Sequence, residues 1–290
     1  MEQIRNLTIE EYHNGEGISA SKLKKALQST AHFFAKDEPS AENEAFLMGQ
    51  AFEDLLTEPE SFDNKYFVLN LEERPEADKT MASKANKAWK EEILEANKTK
   101  KLLTIEQKDV LNEMVKSCSK NKTITSTLND ATFQGSYFWK DEETGLLCKT
   151  RPDIIKYRNE NSVIINDIKT AQDASPEAFA KNFANFSYGI QAAMQIDGVS
   201  EALGVSVEYY TYTVVEKKAP YLAQVYTLAP EDIDYYRAVY KTLLKRVKEA
   251  MEDGERIYYG YAEDCGNKMG ILELEIPQWH INQLSNKLGL

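Results

Sequence analysis

The sequence predicts a mixed α/β fold in which a central β-sheet is flanked by helices. Three observations favour this class. The first 130 residues are mainly helical in pattern, residues 131–228 contain several strand-like runs, and the chain from 229 onward returns to helix. Elements in this order are typical of one domain whose sheet is covered by helices. We therefore predict a single domain over residues 1–290, with a helical amino-terminal part (1–130), a sheet core (131–228) and a helical carboxy-terminal part (229–290).

The amino-terminal part begins with two predicted helices. Residues 19–36 start at a serine cap and place apolar side chains at helical spacing. A second helix is expected from about Glu42 to Thr57, and it ends before Pro59. A short extended piece follows at 66–69, and the lysine-rich stretch 78–122 is predicted to be helical throughout.

The sheet core is expected to contain five strands. Residues 133–139, 146–157 and 163–169 are strand-like, with a hairpin turn at 141–145 between the first two. Two helices are predicted at 175–185 and 188–203, before a hairpin formed by 205–215 and 221–228. Pro230 then opens a helix that reaches about Glu252, and the pattern after Ile257 is ambiguous.

Composition indicates a soluble protein of the cytoplasm. Hydrophobic residues make up 42% of the chain and charged residues 28%, which is ordinary for a globular protein. No run approaches the ~20 apolar residues that a membrane span requires, and the first residues lack the apolar core of a signal peptide. The odd set Cys118, Cys148 and Cys265 has no metal-ligand spacing, so we expect reduced, buried thiols.

The net charge limits how this chain could bind nucleic acid. Lys and Arg total 35 against 47 acidic residues, a formal net charge of −12. A protein that coats DNA nonspecifically neutralises many phosphates with basic side chains, which an acidic surface cannot do. Net charge does not exclude a local basic channel, however, because it bears on steering and solubility more than on a site.

Two aspartates and a lysine carry the strongest chemical signal. Side chains alternate across a strand, so Lys149, Arg151 and Asp153 should share one face of their strand. Asp167 and Lys169 should share a face of the next strand, which would bring them together with Asp153 in one cleft. Asp167 follows an apolar run that is typical of a buried strand, where a carboxylate is costly unless it is paired or binds a metal.

This residue set matches what phosphodiester hydrolysis needs. Carboxylates hold Mg²⁺, which polarises a phosphoryl oxygen and lowers the pKa of bound water. The lysine can orient or deprotonate that water, or offset the charge that develops on phosphorus. The alternative is structural, with Asp153 ending a strand and Asp167 and Lys169 forming a surface pair on an edge strand.

Four motifs in order resemble one family. Pro152-Asp153 followed by Asp167-Ile168-Lys169 resembles the PD-(D/E)XK nuclease signature. The segment from Tyr188 to Gln191 is similar to the Y-x-x-Q element of the RecB-like and RecE-like branches. The resemblance covers residues from about 12 to 200, most of the chain.

The other two motifs lie near the amino terminus. Residues 49–56 resemble the G-x-x-x-H-x-L-L helix of these branches, with Glu53 where the family commonly has His. Residues 17–23 resemble the segment that RecE-like proteins place beside the DNA backbone. Glutamate is an acceptable oxygen ligand for Mg²⁺, so the substitution need not inactivate the site.

The resemblance implies a restriction-endonuclease-like core and a role for each matching residue. The catalytic residues would be Asp153, Asp167, Lys169 and Gln191. The ligands of Mg²⁺, for which Mn²⁺ would substitute, would be Glu53, Asp153, Asp167 and the backbone carbonyl of Ile168. DNA contacts would come from Ser19, Ser21, Lys22, Lys149, Arg151 and Tyr188. The two serines are first of all helix-capping residues, beside which a phosphate contact is plausible.

The function that the resemblance implies is resection of linear double-stranded DNA from its ends, 5′ to 3′, by a Mg²⁺-dependent exonuclease of the RecE-like phage recombination type. Such enzymes form homo-oligomeric rings and work with a RecT-like single-strand annealing protein, here in the cytoplasm of a bacterial host and without a membrane. One alternative is a RecB-like single-strand or flap nuclease, but three cysteines cannot supply the four ligands of the iron–sulfur cluster that such relatives often carry.

A second alternative is a catalytically silent nuclease fold that binds DNA or inhibits another protein. Glu53 in the position of the usual His favours this alternative. The intact set of Asp153, Asp167 and Lys169 argues against it, because a silent site has no reason to keep all three.

Overall fold

A computed structural model describes residues 4–5, 7–36, 43–254, 261 and 269–290 of the chain. Its helices are α1 (Ile9–Asn14), α2 (Ala20–Lys24), α3 (Thr30–Phe34), α4 (Glu44–Thr57), α5 (Phe62–Lys65), α6 (Lys84–Ala96), α7 (Ile105–Lys120), α8 (Lys122–Leu128), α9 (Pro176–Asn185), α10 (Tyr188–Leu203), α11 (Pro230–Glu252) and α12 (Gln278–Leu288). Its strands are β1 (Ile4–Arg5), β2 (Tyr66–Leu69), β3 (Lys101–Thr104), β4 (Ala131–Phe133), β5 (Ser136–Lys140), β6 (Leu147–Thr150), β7 (Ile154–Asn159), β8 (Ser162–Ala171), β9 (Ser206–Glu216) and β10 (Ala223–Thr227).

The central sheet has five strands in the order β10-β9-β8-β7-β4. Strands β8 and β9 are parallel and are joined through α9 and α10, whereas the other neighbours are antiparallel. In the β7–β8 pair Ile154 lies opposite Asn166. Asp153, one residue before β7, is therefore placed beside Asp167, as the sequence predicted. The mixed α/β class is confirmed.

Two smaller sheets flank the central one. Strands β1, β5 and β6 form an antiparallel sheet, and β2 pairs in parallel with β3. The single strand predicted over 146–157 is wrong, because the chain leaves β6 at Thr150 and enters β7 of another sheet at Ile154. Pro152 lies in this break, where its missing N–H removes a donor that a continuous ladder would need.

Three further predicted elements are interrupted in the structure. The expected helix over 78–122 contains β3, whose Leu103 is fully buried against α7 and its neighbours. In place of the expected helix over 19–36, α2 ends in a 3-10 turn and α3 begins at a new cap on Ser29. The expected strand over 133–139 is split between β4 and β5 at Gln134. In each case burial or a local cap outweighs the pattern of the wider segment.

The remaining elements of the sheet core are confirmed. The hairpin turn between β5 and β6, the helices α9, α10 and α11, and the β9–β10 hairpin all lie where the sequence predicts them, to within about two residues at their ends. In the part of the chain that the structure describes, no helix combines the length and apolar character of a membrane span.

Helix α10 packs closely against its neighbours through two glycines. A Cβ atom at Gly198 would clash with the Trp139 ring of β5, and one at Gly189 would clash with the Tyr236 ring of α11. Glycine at both positions therefore permits this approach, which holds Gln191 in place beside the central sheet. Cys118 and Cys148 are buried free thiols, whereas Cys265 lies outside the described residues.

Candidate active site

A cleft of about 690 Å³ opens beside the junction of β6 and β7. Six of the predicted site residues line it: Ser19, Ser21, Glu53, Arg151, Asp153 and Gln191. Asp167 lies deeper and is fully buried, and the side chain of Lys169 is 18% exposed. Helices α2, α4 and α10 thus meet the central sheet around one cavity.

The predicted catalytic residues are brought together. Lys169 Nζ forms an ion pair with Asp167 Oδ2. Gln191 Nε2 donates to Asp167 Oδ1 at 2.6 Å, so the side chain of the predicted glutamine contacts the second acid. The backbone N–H of Ile168 donates to Asp153 Oδ2 at 2.7 Å, which fixes the first acid against the adjacent strand.

The three acids of the site repel one another. The pKa of Glu53 is raised to about 7, and burial is the largest cause. The hydrogen bond from Gln134 lowers this pKa, whereas the charge of Asp167 raises it. Burial, followed by the charges of Glu53 and Asp167, raises the pKa of Asp153 well above its usual range. Burial opposes the charge of Lys169, but Asp167 and Asp153 outweigh it and raise the pKa of the lysine. The metal-free site therefore disfavours the charged forms of Glu53 and Asp153.

This donor set suits a divalent cation. Asp153, just before β7, and Asp167 of β8 supply hard oxygen ligands, and a bound cation would relieve their mutual repulsion. Among the described residues, no three His, Cys, Asp or Glu side chains are already arranged to hold one ion. Each of Glu53, Asp153 and Asp167 instead accepts a hydrogen bond from a protein donor. Convergence of all three, with the carbonyl of Ile168, on one ion stays a prediction.

Gln134 is a residue of the site that the sequence did not reveal. Its backbone has a left-handed φ of 52°, an uncommon conformation for a non-glycine residue. Its Nε2 donates to Glu53 Oε1 at 2.7 Å, and its Oε1 accepts from Arg151 Nη2 at 3.3 Å. Gln134 thus links the metal-ligand candidate Glu53 to Arg151. Only its position between two strands, before Gly135, could have drawn attention to it.

The predicted DNA contact of Lys149 is wrong. This lysine is 4% exposed, and its Nζ donates to the carbonyl oxygens of Tyr12 at 2.5 Å and Gly15 at 2.6 Å. It therefore holds the segment after α1 in place. The shared-face argument failed because it assumed one continuous strand through Pro152.

Arg151 combines a structural contact with exposure to the cleft. Its Nη1 donates to Leu7 O at 2.7 Å and to Ser136 Oγ at 2.8 Å, and the residue also lines the cavity. These bonds tie its guanidinium to the amino-terminal segment and to β5. A DNA contact by Arg151 stays a prediction.

In helix α2, the lysine that was predicted to contact DNA is not the one that lies near Tyr188. Ser19 caps the helix by accepting from Lys22 N at 3.3 Å, which confirms its capping role. Lys22 Nζ, however, donates to Ala35 O at 3.3 Å and lies over the Phe33 ring, away from the cleft, so its predicted DNA contact is not supported. Lys24, which the sequence did not single out, lies 5.5 Å from the ring centroid of Tyr188.

Tyr188 lies next to Lys169, and its contact with DNA stays a prediction. Lys169 Nζ is 4.9 Å from the centroid of its ring. Phe186, an exposed residue just before α10, stacks on the same ring with centroids 5.5 Å apart. The Tyr188 ring therefore lies against both the Lys169 ammonium and the Phe186 ring.

Replacing Glu53 by glutamine is expected to stabilise the metal-free fold at alkaline pH. The folded protein keeps a proton on Glu53 up to about pH 7, whereas the unfolded chain loses it at the ordinary, lower pKa. Ionisation of Glu53 therefore costs stability as pH rises through this window, and the full cost is present above it. Glu53→Gln removes that cost while keeping an acceptor for Gln134.

Thermal unfolding in a chelator at about pH 5.5 and about pH 8 checks this expectation. The Glu53→Gln midpoint should exceed the wild-type midpoint by at least about 2 °C at the higher pH, and by less at the lower one. Glu160→Gln, an exposed acid in the turn between β7 and β8, is the matched control. An equal shift at both pH values would contradict the expected ionisation.

The fold resembles solved structures of low sequence identity. A protein from Eubacterium rectale, described as a candidate exonuclease, shares 14% identity and a TM-score of 0.55, covering 96% of this chain and 98% of that one. At this identity the likeness concerns the fold alone. The structure of SSO0001 shares 13% identity and a TM-score of 0.29 over 68% of this chain and 84% of that one, which carries no argument. No curated protein matches the chain.

A sequence family matches most of the chain. The family is described as a PDDEXK-like domain of unknown function, and it matches residues 19–267. The match includes both strands of the Asp153–Asp167 site and the helix that carries Gln191. It confirms the predicted PD-(D/E)XK superfamily, without distinguishing the RecE-like branch. The chain therefore belongs to the PDDEXK-like family, with a restriction-endonuclease-like α/β core.

Proposed function

We propose that this protein is a metal-dependent deoxyribonuclease that degrades linear double-stranded DNA from its ends. One observation carries the proposal: Asp153, just before β7, lies beside Asp167 of the adjacent strand β8 next to a cleft, with the ammonium of Lys169 on Asp167. Two carboxylates and a lysine in this relation are what phosphodiester hydrolysis requires. The PDDEXK-like family supports the same reaction class.

The residues of the site would divide the work. A bound Mg²⁺, for which Mn²⁺ would substitute, supplies Lewis-acid activation of the phosphate and of water. Asp153 and Asp167 would hold it, with Glu53 and the Ile168 carbonyl as further ligands. Lys169, which is ion-paired with Asp167, would orient or deprotonate the attacking water and offset charge on phosphorus.

Gln191 would position the second acid. Its Nε2 is bonded to Asp167 Oδ1, which leaves Oδ2 toward Lys169. The tight packing of α10 through Gly189 and Gly198 holds this glutamine at a fixed height above β8. Gln191 would therefore act as a positioning residue for the metal ligand.

The finer features of the proposal rest on the RecE-like resemblance. They are 5′ to 3′ polarity, a homo-oligomeric ring, and a RecT-like annealing partner that takes up the exposed strand in the cytoplasm of a bacterial host. The description of the Eubacterium rectale protein as a candidate exonuclease is compatible with exonuclease activity on this fold. An end-dependent enzyme also suits an acidic chain, because a confined passage needs few basic residues.

Digestion of end-labelled linear duplex, with and without Mg²⁺, tests the proposal. Linear DNA should be degraded only with the metal, and Mn²⁺ should substitute. Covalently closed circular duplex at equal nucleotide concentration should persist, because a ring cannot load without an end. Degradation of both substrates would favour an endonuclease on the same fold. A protein that binds the duplex but cleaves nothing with either metal would favour the catalytically silent alternative.

A further inference from the structure

The ammonium of Lys24 lies beside the candidate catalytic pair without an acid of its own. It is 5.5 Å from the centroid of the Tyr188 ring, which Lys169 also approaches, to 4.9 Å. Within the residues that the structure describes, neither a hydrogen bond nor an ion pair engages this ammonium. Two lysines from distant parts of the chain thus converge on one aromatic ring.

The surroundings of Lys24 disfavour its charge. Burial, followed by the neighbouring charge of Lys169, lowers the pKa of Lys24 to about 8, against an opposite effect of Asp167. Asp167 is already paired with Lys169 and bonded to Gln191. A partly buried cation close to a second cation, with Asp167 already engaged, lacks an anion among the described residues.

The packing of α2 fixes the position of the Lys24 backbone. The N–H of Ile18 donates to Leu147 O at 2.9 Å, and Ile18 O accepts from Lys149 N at 3.0 Å, which joins the start of the helix to β6. Leu23 is fully buried in the core shared with α10 and α11. The backbone on which Lys24 stands is therefore anchored on both sides.

We propose that Lys24 binds a phosphate of the DNA substrate next to Lys169, and so is a further catalytic residue of the site. The proposal rests on the proposed nuclease function and adds to it a substrate-contacting residue. A phosphate would supply the anion that Lys24 lacks. In a chain of net charge −12, a cation held at this point attracts DNA where the average surface does not.

Lys22 provides a charge-matched control on the same helix. It lies two residues before Lys24, but its ammonium is bonded to Ala35 O and lies over Phe33. Replacing either lysine by alanine changes the net charge equally. Only the substitution of Lys24 should remove a phosphate contact in the site.

The experiment uses the full chain as wild type, Lys24→Ala, Lys24→Arg and Lys22→Ala, with a fluorescent, end-labelled linear duplex. Binding is measured over a salt series without divalent metal, and cleavage is measured with Mg²⁺. Lys24→Ala should lower kcat/KM about 10-fold or more, with kcat reduced. It should also make the slope of log affinity against log salt shallower by about one, the loss of one phosphate contact. Lys24→Arg should restore the slope and most of the activity, and Lys22→Ala should match wild type.

Three results would overturn the proposal. Lys24→Ala could keep both the salt slope and kcat within about twofold of wild type. Lys22→Ala and Lys24→Ala could weaken binding equally, which would indicate general surface charge. Lys24→Ala could lose activity with an unchanged slope and a lower unfolding midpoint that arginine does not rescue, which would indicate a structural role. If the wild type cleaves nothing, the proposed function fails, while the salt slopes still decide whether Lys24 contacts phosphate.

Discussion

Replacing Lys169 by alanine is expected to lower DNA cleavage by about 10²- to 10³-fold or more, the usual loss when a donor to developing charge is removed. Lys169 is the cation in direct contact with Asp167, and it lies where the attacking water and the phosphate would meet. DNA affinity should change little, because one lysine among several phosphate contacts contributes little to binding. Single-turnover cleavage of labelled duplex, beside a binding titration, separates the two effects.

The controls for Lys169 distinguish chemistry from folding. Removing the ammonium leaves Asp153 and Asp167 without their neighbouring cation, so the variant's unfolding midpoint must be measured. Lys169→Arg keeps the charge and should recover stability without full activity, because the guanidinium has a different shape and donor geometry. Lys156→Ala, on the neighbouring strand β7 with its ammonium bonded to Ser126 O, should cleave normally. Wild-type resection by Lys169→Ala would remove this lysine from the mechanism.

Replacing Asp167 by asparagine is expected to abolish metal-dependent cleavage and to leave DNA binding equal or tighter. Asparagine keeps the shape of the side chain and an oxygen for the Gln191 hydrogen bond, but it lacks the charge that a divalent cation requires. Removing a buried negative charge beside the phosphate path also relieves repulsion with DNA. Cleavage across a Mg²⁺ series and binding without metal are the two measurements.

The outcome for Asp167→Asn also tests the metal site itself. Calorimetric titration of wild type with Mg²⁺ or Mn²⁺ should show binding that the variant loses. Glu160→Gln, which removes an exposed acid from the turn that joins β7 to β8, should bind metal and cleave as wild type does. If Asp167→Asn cleaved DNA with an unchanged metal requirement, the ligand role of this carboxylate would be wrong.

The local pattern of the sequence determined much of the sheet core. The apolar run before Asp167 predicted a buried strand, and β8 carries Asp167 with no exposed surface. Helices α9 to α11 and the β9–β10 hairpin were predicted for the same reason. Their periodicity, caps and prolines lie within the segments themselves, so no distant contact was needed to recognise them. The pairing of Asp153 with Asp167 followed from one short turn between two predicted strands.

Other features of the site were decided only by tertiary structure. Lys149 alternates with Arg151 and Asp153 in the sequence, which predicted a DNA contact, yet it is buried on the carbonyl groups of Tyr12 and Gly15. Lys22 and Lys24 are two lysines of the same helix and look alike in the sequence. The ammonium of Lys22 is bonded beside α3, whereas the ammonium of Lys24 lies near Tyr188 of α10. Gln134 reaches Glu53 across 81 residues of chain.

The physical reason for this division is the range of the forces involved. Helix and strand periodicity express which face of a segment is apolar, and that information is local. The direction of a charged side chain depends on which carbonyl groups, rings and acids the fold brings near it, because a buried charge must find partners. The sequence by itself therefore determined β8, which carries Asp167 and Lys169, and placed Asp153 beside it, while only the tertiary structure decided that Lys149 is buried on backbone carbonyl groups and that the Lys24 ammonium lies near Tyr188.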